Sequence, residues 1–253
     1  MPEEVKIIKN ILEKHPRLLR LYNFSYAPSQ TVLWFEFCAA GDLSDLIKAY
    51  HTNHRLDIPE SFIWHVYIQL AEALAFIHTG YDRTDQRRPG WQPVVHRDVK
   101  PQNIFLRRPT SSHQYPDIVL ADFGLATTRT RSGEGGFCGS LLWQGPEIPI
   151  HSRAGDCWAV GACIHAMATG SPPISAAPRG IASREWAESP SARKVKDLTA
   201  NGYSTYLDDA LYKVMRTNPN DRLTGRELIK RVERGYDDWR GRVEPLDSWA
   251  LKN

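Results

Sequence analysis

The chain has 253 residues, 42% of them apolar and 24% charged, and its 32 Lys and Arg against 29 Asp and Glu give a formal net charge of +3. No block of like charge marks a nucleic-acid or membrane-surface tract, and every apolar stretch is broken well short of the roughly 20 residues a membrane span needs. The four cysteines (Cys38, Cys138, Cys157, Cys163) show no C-x-x-C spacing and Met1–Asn10 has no signal-like apolar run, so a soluble protein in a reducing, intracellular setting is expected.

In chain order, Val5, Ile7, Ile8, Ile11 and Leu12 recur at helical spacing, which predicts a helix from Glu3 to Lys14 stopped by His15-Pro16. Two β-rich runs, Leu18 to Phe24 and Thr31 to Phe37, flank the turn-forming Ala27-Pro28-Ser29-Gln30 and should pair as a hairpin. Ile63, Val66, Tyr67, Leu70, Leu74 and Ile77 then form one stripe between Pro59 and Gly80, the pattern of a long buried helix. Tyr81 to Pro93 is rich in Arg, Asp, Gln, Gly and Pro and reads as an exposed insertion. Short strands are predicted at Ile104 to Leu106 and Ile118 to Leu120, followed by a Gly/Ser/Thr-rich segment from Thr127 to Gly139. From Asp156 onward the pattern is mostly helical, and no internal repeat is present.

The specific signal is His96-Arg97-Asp98-Val99-Lys100-Pro101-Gln102-Asn103, followed nineteen residues after Asn103 by Asp122-Phe123-Gly124. Either triplet alone is an ordinary turn or hairpin. Together and in this order they resemble the eukaryotic protein kinases, and Lys100, two residues after Asp98, fits the serine/threonine type. The resemblance implies an α+β fold of two lobes, with 1–38 a partial small lobe and 39–253 the large catalytic lobe of one kinase domain. It implies Asp98 as the group that accepts or orients the substrate hydroxyl proton, Lys100 as a neutraliser of phosphate charge, and Asn103 and Asp122 as magnesium ligands. ATP and Mg²⁺ are the implied cofactors and proteins bearing Ser or Thr the implied substrates.

Further landmarks follow in the same order. Gly145-Pro146-Glu147 stands where the family usually has Ala-Pro-Glu, Arg222 matches that glutamate's buried partner, and Asp156 matches a structural acceptor for the catalytic-loop backbone. Trp34 to Cys38 looks like the adenine-binding hinge, with Phe35 as gatekeeper and backbone groups of Glu36 and Cys38 as base-binding groups, although Phe35 and Phe37 fit equally as strand core. Glu4 has the spacing of the family's ion-pairing helix glutamate, with Glu3 adjacent and an acidic first turn an equal explanation. Ile8, Phe123 and His96 would form a spine, with Phe105 under the adenine. Ser140 matches a docking-segment hydroxyl that bonds Asp98 and Lys100, and the absence of a hydroxyl between Gly133 and Gly139 leaves Arg97 without the family's usual phosphate partner, for which Glu134 is a candidate substitute.

The pattern departs from the family at its start. A Gly-rich loop and a strand lysine should precede Glu4, where only Met1-Pro2-Glu3 stands. The expectation is therefore a chain that begins downstream of its true start and is nearly inactive and association-prone as written. A non-catalytic, pseudokinase-type binding module is the alternative, and a small-molecule phosphotransferase would not be expected to combine Glu147, Asp156 and Arg222. Within the family, Gly41-Asp42-Leu43 and Asn103-Ile104-Phe105-Leu106 lean towards the NIMA-related group.

Overall fold

A computed structural model describes residues 3–10, 12, 15–27, 29–81, 90–109, 114–128 and 138–252. The small lobe consists of helix α1 (Glu3–Asn10) and the antiparallel hairpin β1 (Leu21–Ala27) with β2 (Gln30–Phe35). Helix α1 buries Val5, Ile7 and Ile8, the face its spacing predicts. It ends earlier than Lys14: positions 11, 13 and 14 lie outside the described residues, and the Leu12 N–H donates to Ile7 O at 3.0 Å, a wider turn than an α-helix makes.

Both strands are shifted from their predicted bounds. Leu18 is not in the hairpin because it forms a parallel bridge with Leu120, and Leu19 N and Leu120 O (3.0 Å) tie this stretch to the large lobe. At the other end β2 stops at Phe35, and Phe37 is 90% exposed, which excludes the core reading of that residue. Ala27 pairs with Gln30, so the turn falls where predicted, with Pro28 outside the described residues.

The large lobe is built around α3 (Glu60–Thr79), sixteen of whose residues are buried, including Trp64, Tyr67 and Phe76. Gly80 closes it in a left-handed conformation (φ 71°), donating to Phe76 O at 2.8 Å. Of the insertion, residues 82–89 lie outside the described residues, but its end is anchored by Trp91, which packs edge-on against Phe76 and donates to Ile77 O at 3.3 Å. Helix α2 (Leu43–Lys48) is capped by Asp42, whose side chain accepts from Asp45 N.

Strands β3 (Ile104–Leu106) and β4 (Ile118–Leu120) pair as predicted, Ile104 opposite Leu120 and Phe105 opposite Val119. Helix α4 (Arg153–Thr169) is nearly all buried and crosses α3, and α5 (Ser183–Glu188), α6 (Thr205–Val214) and α7 (Gly225–Asp238) complete the lobe. Among the described residues no helix is long and apolar enough to cross a membrane. Two small antiparallel sheets beside a helical lobe make this an α+β architecture.

Candidate active site

The site is anchored from below by one carboxylate. Asp156, on α4 and 3% exposed, accepts from His96 N (2.8 Å), Arg97 N (3.0 Å) and His78 Nε2 (2.9 Å). Burial alone would raise its pKa, yet the His78 hydrogen bond and charge and the backbone donors hold it below the ordinary carboxylate value. These bonds fix Arg97 in the left-handed region (φ 73°), an uncommon state for a residue with a side chain, and the bend aims the next residue into the cleft.

That residue is Asp98, 7% exposed. Its Oδ2 accepts from Lys100 Nζ at 2.7 Å and from Asn103 Nδ2 at 3.2 Å, while Oδ1 is buried with no hydrogen-bond partner among the described residues. A buried carboxylate oxygen left open beside two donors on its neighbour is positioned to accept from an incoming hydroxyl. Lys100 also donates to Ser140 Oγ at 3.1 Å, so the predicted docking hydroxyl reaches Asp98 through the lysine.

Register sets the rest. Asn103 O accepts from Ala121 N at 2.9 Å at the open end of the β3–β4 hairpin, so Asp122 follows at the same end as Asn103. Asp122 is exposed, has φ 62°, and accepts from Gly124 N at 3.3 Å. A Cβ built on Gly124 would lie 3.2 Å from Asp122 Oδ1 and 4.0 Å from Glu4 Oε2, so both carboxylates border this glycine. Glu3, by contrast, is exposed and pairs with Lys6, which separates the two candidates the sequence left open. Burial, and then the charge of Asp122, raise the Glu4 pKa. Among the described residues no Lys or Arg pairs with Glu4.

At the hinge the Glu36 side chain is engaged elsewhere: Arg107 Nε and NH2 donate to it at 2.9 and 2.6 Å, and Arg20 N at 2.7 Å. Burial works against ionisation, but these partners hold the carboxyl below its ordinary value. Burial, then Glu36, pushes the Cys38 thiol up to about 11, so it stays protonated. What Glu36 and Cys38 can offer a base is their backbone. Half-buried Phe105 lies on β3 behind this stretch, bridged to Asp42. His96 and Phe123 pack edge to face at 4.7 Å, and both join Ile8 among the buried residues.

Glu147 and Arg222 form a two-pronged pair at 2.6 and 2.7 Å, with the arginine side chain fully buried. Gly145 lies against it: a Cβ added there would meet Glu147 Oε2 and sit 3.1 Å from Arg222 NH1. Three features escaped the sequence reading. Arg97 NH2 meets the Cys138 sulfur at 2.6 Å where a phosphate was expected to be wanting, Arg107 clasps Glu36, and Arg193 holds the segment after Ser140. Each joins residues more than 40 positions apart, for which no local pattern exists. Thr130, Ser132 and Glu134 lie outside the described residues.

The protein kinase domain family matches residues 1–232. The chain belongs to the protein kinase family. Among similar proteins, the serine/threonine-protein kinase Nek1 of Toxoplasma gondii is 29% identical over 99% of this chain and 16% of its own length. A probable serine/threonine-protein kinase nek2 of Dictyostelium discoideum is 34% identical over 68% of this chain and 38% of its own, and ATG1a of Arabidopsis thaliana 29% identical over 91% and 34%. This kinase chain thus spans between about a sixth and two fifths of these relatives. These relatives are serine/threonine kinases of the Nek and Atg1 types.

Kinases of this family generally use ATP and Mg²⁺. The donor set fits such an ion. Asn103 and Asp122 present hard oxygen ligands at one hairpin end, and Mg²⁺ is typically held by one or two protein groups together with substrate phosphates.

Proposed function

We propose that this chain transfers the γ-phosphate of ATP to Ser or Thr hydroxyls of protein substrates inside the cell, with 1–38 and 39–253 as its small- and large-lobe portions. The observation that carries this reading is the asymmetry of Asp98: one oxygen held by Lys100 and Asn103, the other buried and open. Asp98 Oδ1 takes the hydroxyl's hydrogen bond and turns its oxygen towards the phosphate. Lys100 offsets the negative charge that Asp98 and the transferring group bring together, while Asn103 and Asp122 hold magnesium. Bound ATP supplies the phosphoryl group, and Mg²⁺ offsets its charge. Backbone groups of Glu36 and Cys38 receive the adenine over Phe105, and Glu4 stands at the phosphate side.

The test is phosphorylation of a Ser/Thr peptide library by the purified chain with Mg²⁺-ATP, beside an Asp98→Asn variant. Incorporation that the variant loses supports the reading; equal incorporation by both overturns the role of Asp98.

A second reading, a binding module without catalysis, is favoured by one observation: Glu4 lies near Asp122, and among the described residues no Lys or Arg pairs with it. A wild-type chain whose melting temperature is unmoved by ATP with Mg²⁺, and which labels no peptide, would establish that reading instead.

A further inference from the structure

The short segment after Ser140 adjoins the proposed acceptor side of the site, because Lys100 donates both to Ser140 and to Asp98. Its core is a single tight turn, Leu141–Trp143, with no buried side chain of its own. Leu142 is 45% exposed and Gln144 is half-buried, and half-buried Trp143 is the side chain that packs the turn against the core. Beside that packing and the bond from Gln144 Nε2 to Cys138 O, the hydrogen bonds from outside the segment to both ends of the turn converge on one guanidinium.

Arg193 Nε donates to Gln144 O at 2.8 Å and NH2 to Leu141 O at 3.1 Å, one bond at each end of the turn. NH1 faces the other way, donating to Ala187 O at 2.5 Å and Ser189 O at 3.1 Å, at the C-terminal end of α5. One side chain therefore bridges two segments more than 40 residues apart in sequence, entirely through backbone carbonyls. Its own backbone is held by a bridge to Ile174 and a bond to Pro190 O at 3.2 Å. No carboxylate forms an ion pair with it among the described residues, and burial pushes its pKa down to about 10, with Glu147 acting in the opposite sense. A half-buried cation without an anionic contact is costly unless its donors are satisfied. Four carbonyls reached through Nε, NH1 and NH2 match the fork of an arginine and cannot all be reached by a lysine.

We propose that Arg193 is a positioning residue for the protein substrate: it seats segment 140–144 against the large lobe, setting acceptor binding without touching nucleotide or the catalytic carboxylates. This rests on the kinase reading above. The nucleotide-side groups Glu36, Cys38, Phe105 and Asp122 share no hydrogen bond with Arg193, so its loss separates the two halves of the reaction.

The experiment compares Arg193→Lys and Arg193→Met with the wild-type chain in three measurements. Peptide KM should rise about tenfold or more in both variants, the size of losing charge-assisted hydrogen bonds, with Arg193→Lys the milder. ATP KM should stay within twofold. Hydrogen exchange should show lost protection at residues 141–144 and unchanged protection in α3. Peptide and ATP KM rising together, or neither changing, overturns the proposal. Unchanged exchange at 141–144 overturns it whether or not the chain turns over. A wild-type chain that labels no peptide, with exchange altered as expected, counts against the kinase reading and not against the seat that Arg193 makes.

Discussion

At the scale of single residues the site depends on groups whose freedom has been removed. Asp98 has one oxygen committed to Lys100 and Asn103 and one open, so Asp98→Asn keeps the shape and loses the acceptor. Phosphoryl transfer should fall roughly 10²- to 10⁴-fold, with thermal melting shifted by only a few degrees. Initial rates beside a melting curve check this; a variant that is equally fast assigns the proton elsewhere. Gly145 illustrates the converse. Gly145→Ala restores what the family usually carries, yet its methyl would meet Glu147 Oε2, which must shift within its pair with Arg222. Overpacking of this kind costs about 1 to 3 kcal/mol, to be read from urea unfolding midpoints. An alanine variant as stable as the parent would mean that the pair relaxes freely.

At the scale of elements, the central helix α4 carries a titration as well as an anchor. His165 is fully buried; its Nδ1–H donates to Ser171 O at 2.9 Å and its Nε2 accepts from Lys196 N at 3.1 Å, a set of partners that fits only the neutral ring. Burial, opposed by the Ser171 bond and aided by Lys196, lowers its pKa to about 4. A histidine depressed in this way binds its proton more weakly when folded, so its contribution is complete above the unfolded value of about 6.5 and is lost as pH falls from there to about 4. The full loss is about 3 kcal/mol. Burial lowers His65 and His96 in the same sense. Urea midpoints at pH 7.5, 5.5 and 4.5 should decline, and His165→Gln should start lower but decline less. Equal declines would remove His165 as a source. None of this was legible in the sequence, where His165 is one polar position among apolar neighbours. The helices themselves were, because α3 and α4 are buried along runs whose composition admits no other placement. The bounds of β1 and β2 were less so: Leu18 has strand chemistry, and only its pairing with Leu120 from the other lobe takes it out of the hairpin.

At the scale of the whole molecule, the legible part of the site is the part built from consecutive residues, and the rest is built from contacts between lobes. Asp98, Asn103 and Asp122 sit within a loop and a hairpin whose spacing is fixed by the chain, so their placement together follows from register. Arg107 has no such signature. It extends from the end of β3 to clasp Glu36 through two nitrogens and to donate to Pro16 O at 2.6 Å, joining the large lobe to both ends of the small-lobe segment that carries the hairpin. The two partners shift in matching senses, Arg107 up and Glu36 down, in each case against burial, as a favourable pair requires. The pair is partly exposed, so its loss should cost about 1 to 2 kcal/mol rather than the amount lost on breaking a fully buried one. That cost should fall on the hairpin, since the large-lobe core around Trp64 and Trp158 makes no use of the contact. Arg107→Met keeps the aliphatic stem and removes the charge. Hydrogen exchange should then quicken at Leu33 to Glu36 while α3 is unchanged, and nucleotide affinity should weaken roughly tenfold because the hinge backbone is no longer held. Glu36→Gln combined with Arg107→Met should be less impaired than Arg107→Met alone, because no unpaired carboxylate is left behind. Equal loss of protection in the hairpin and in α3 would show instead that the two lobes open as a single unit, with Arg107 contributing to the stability of the whole.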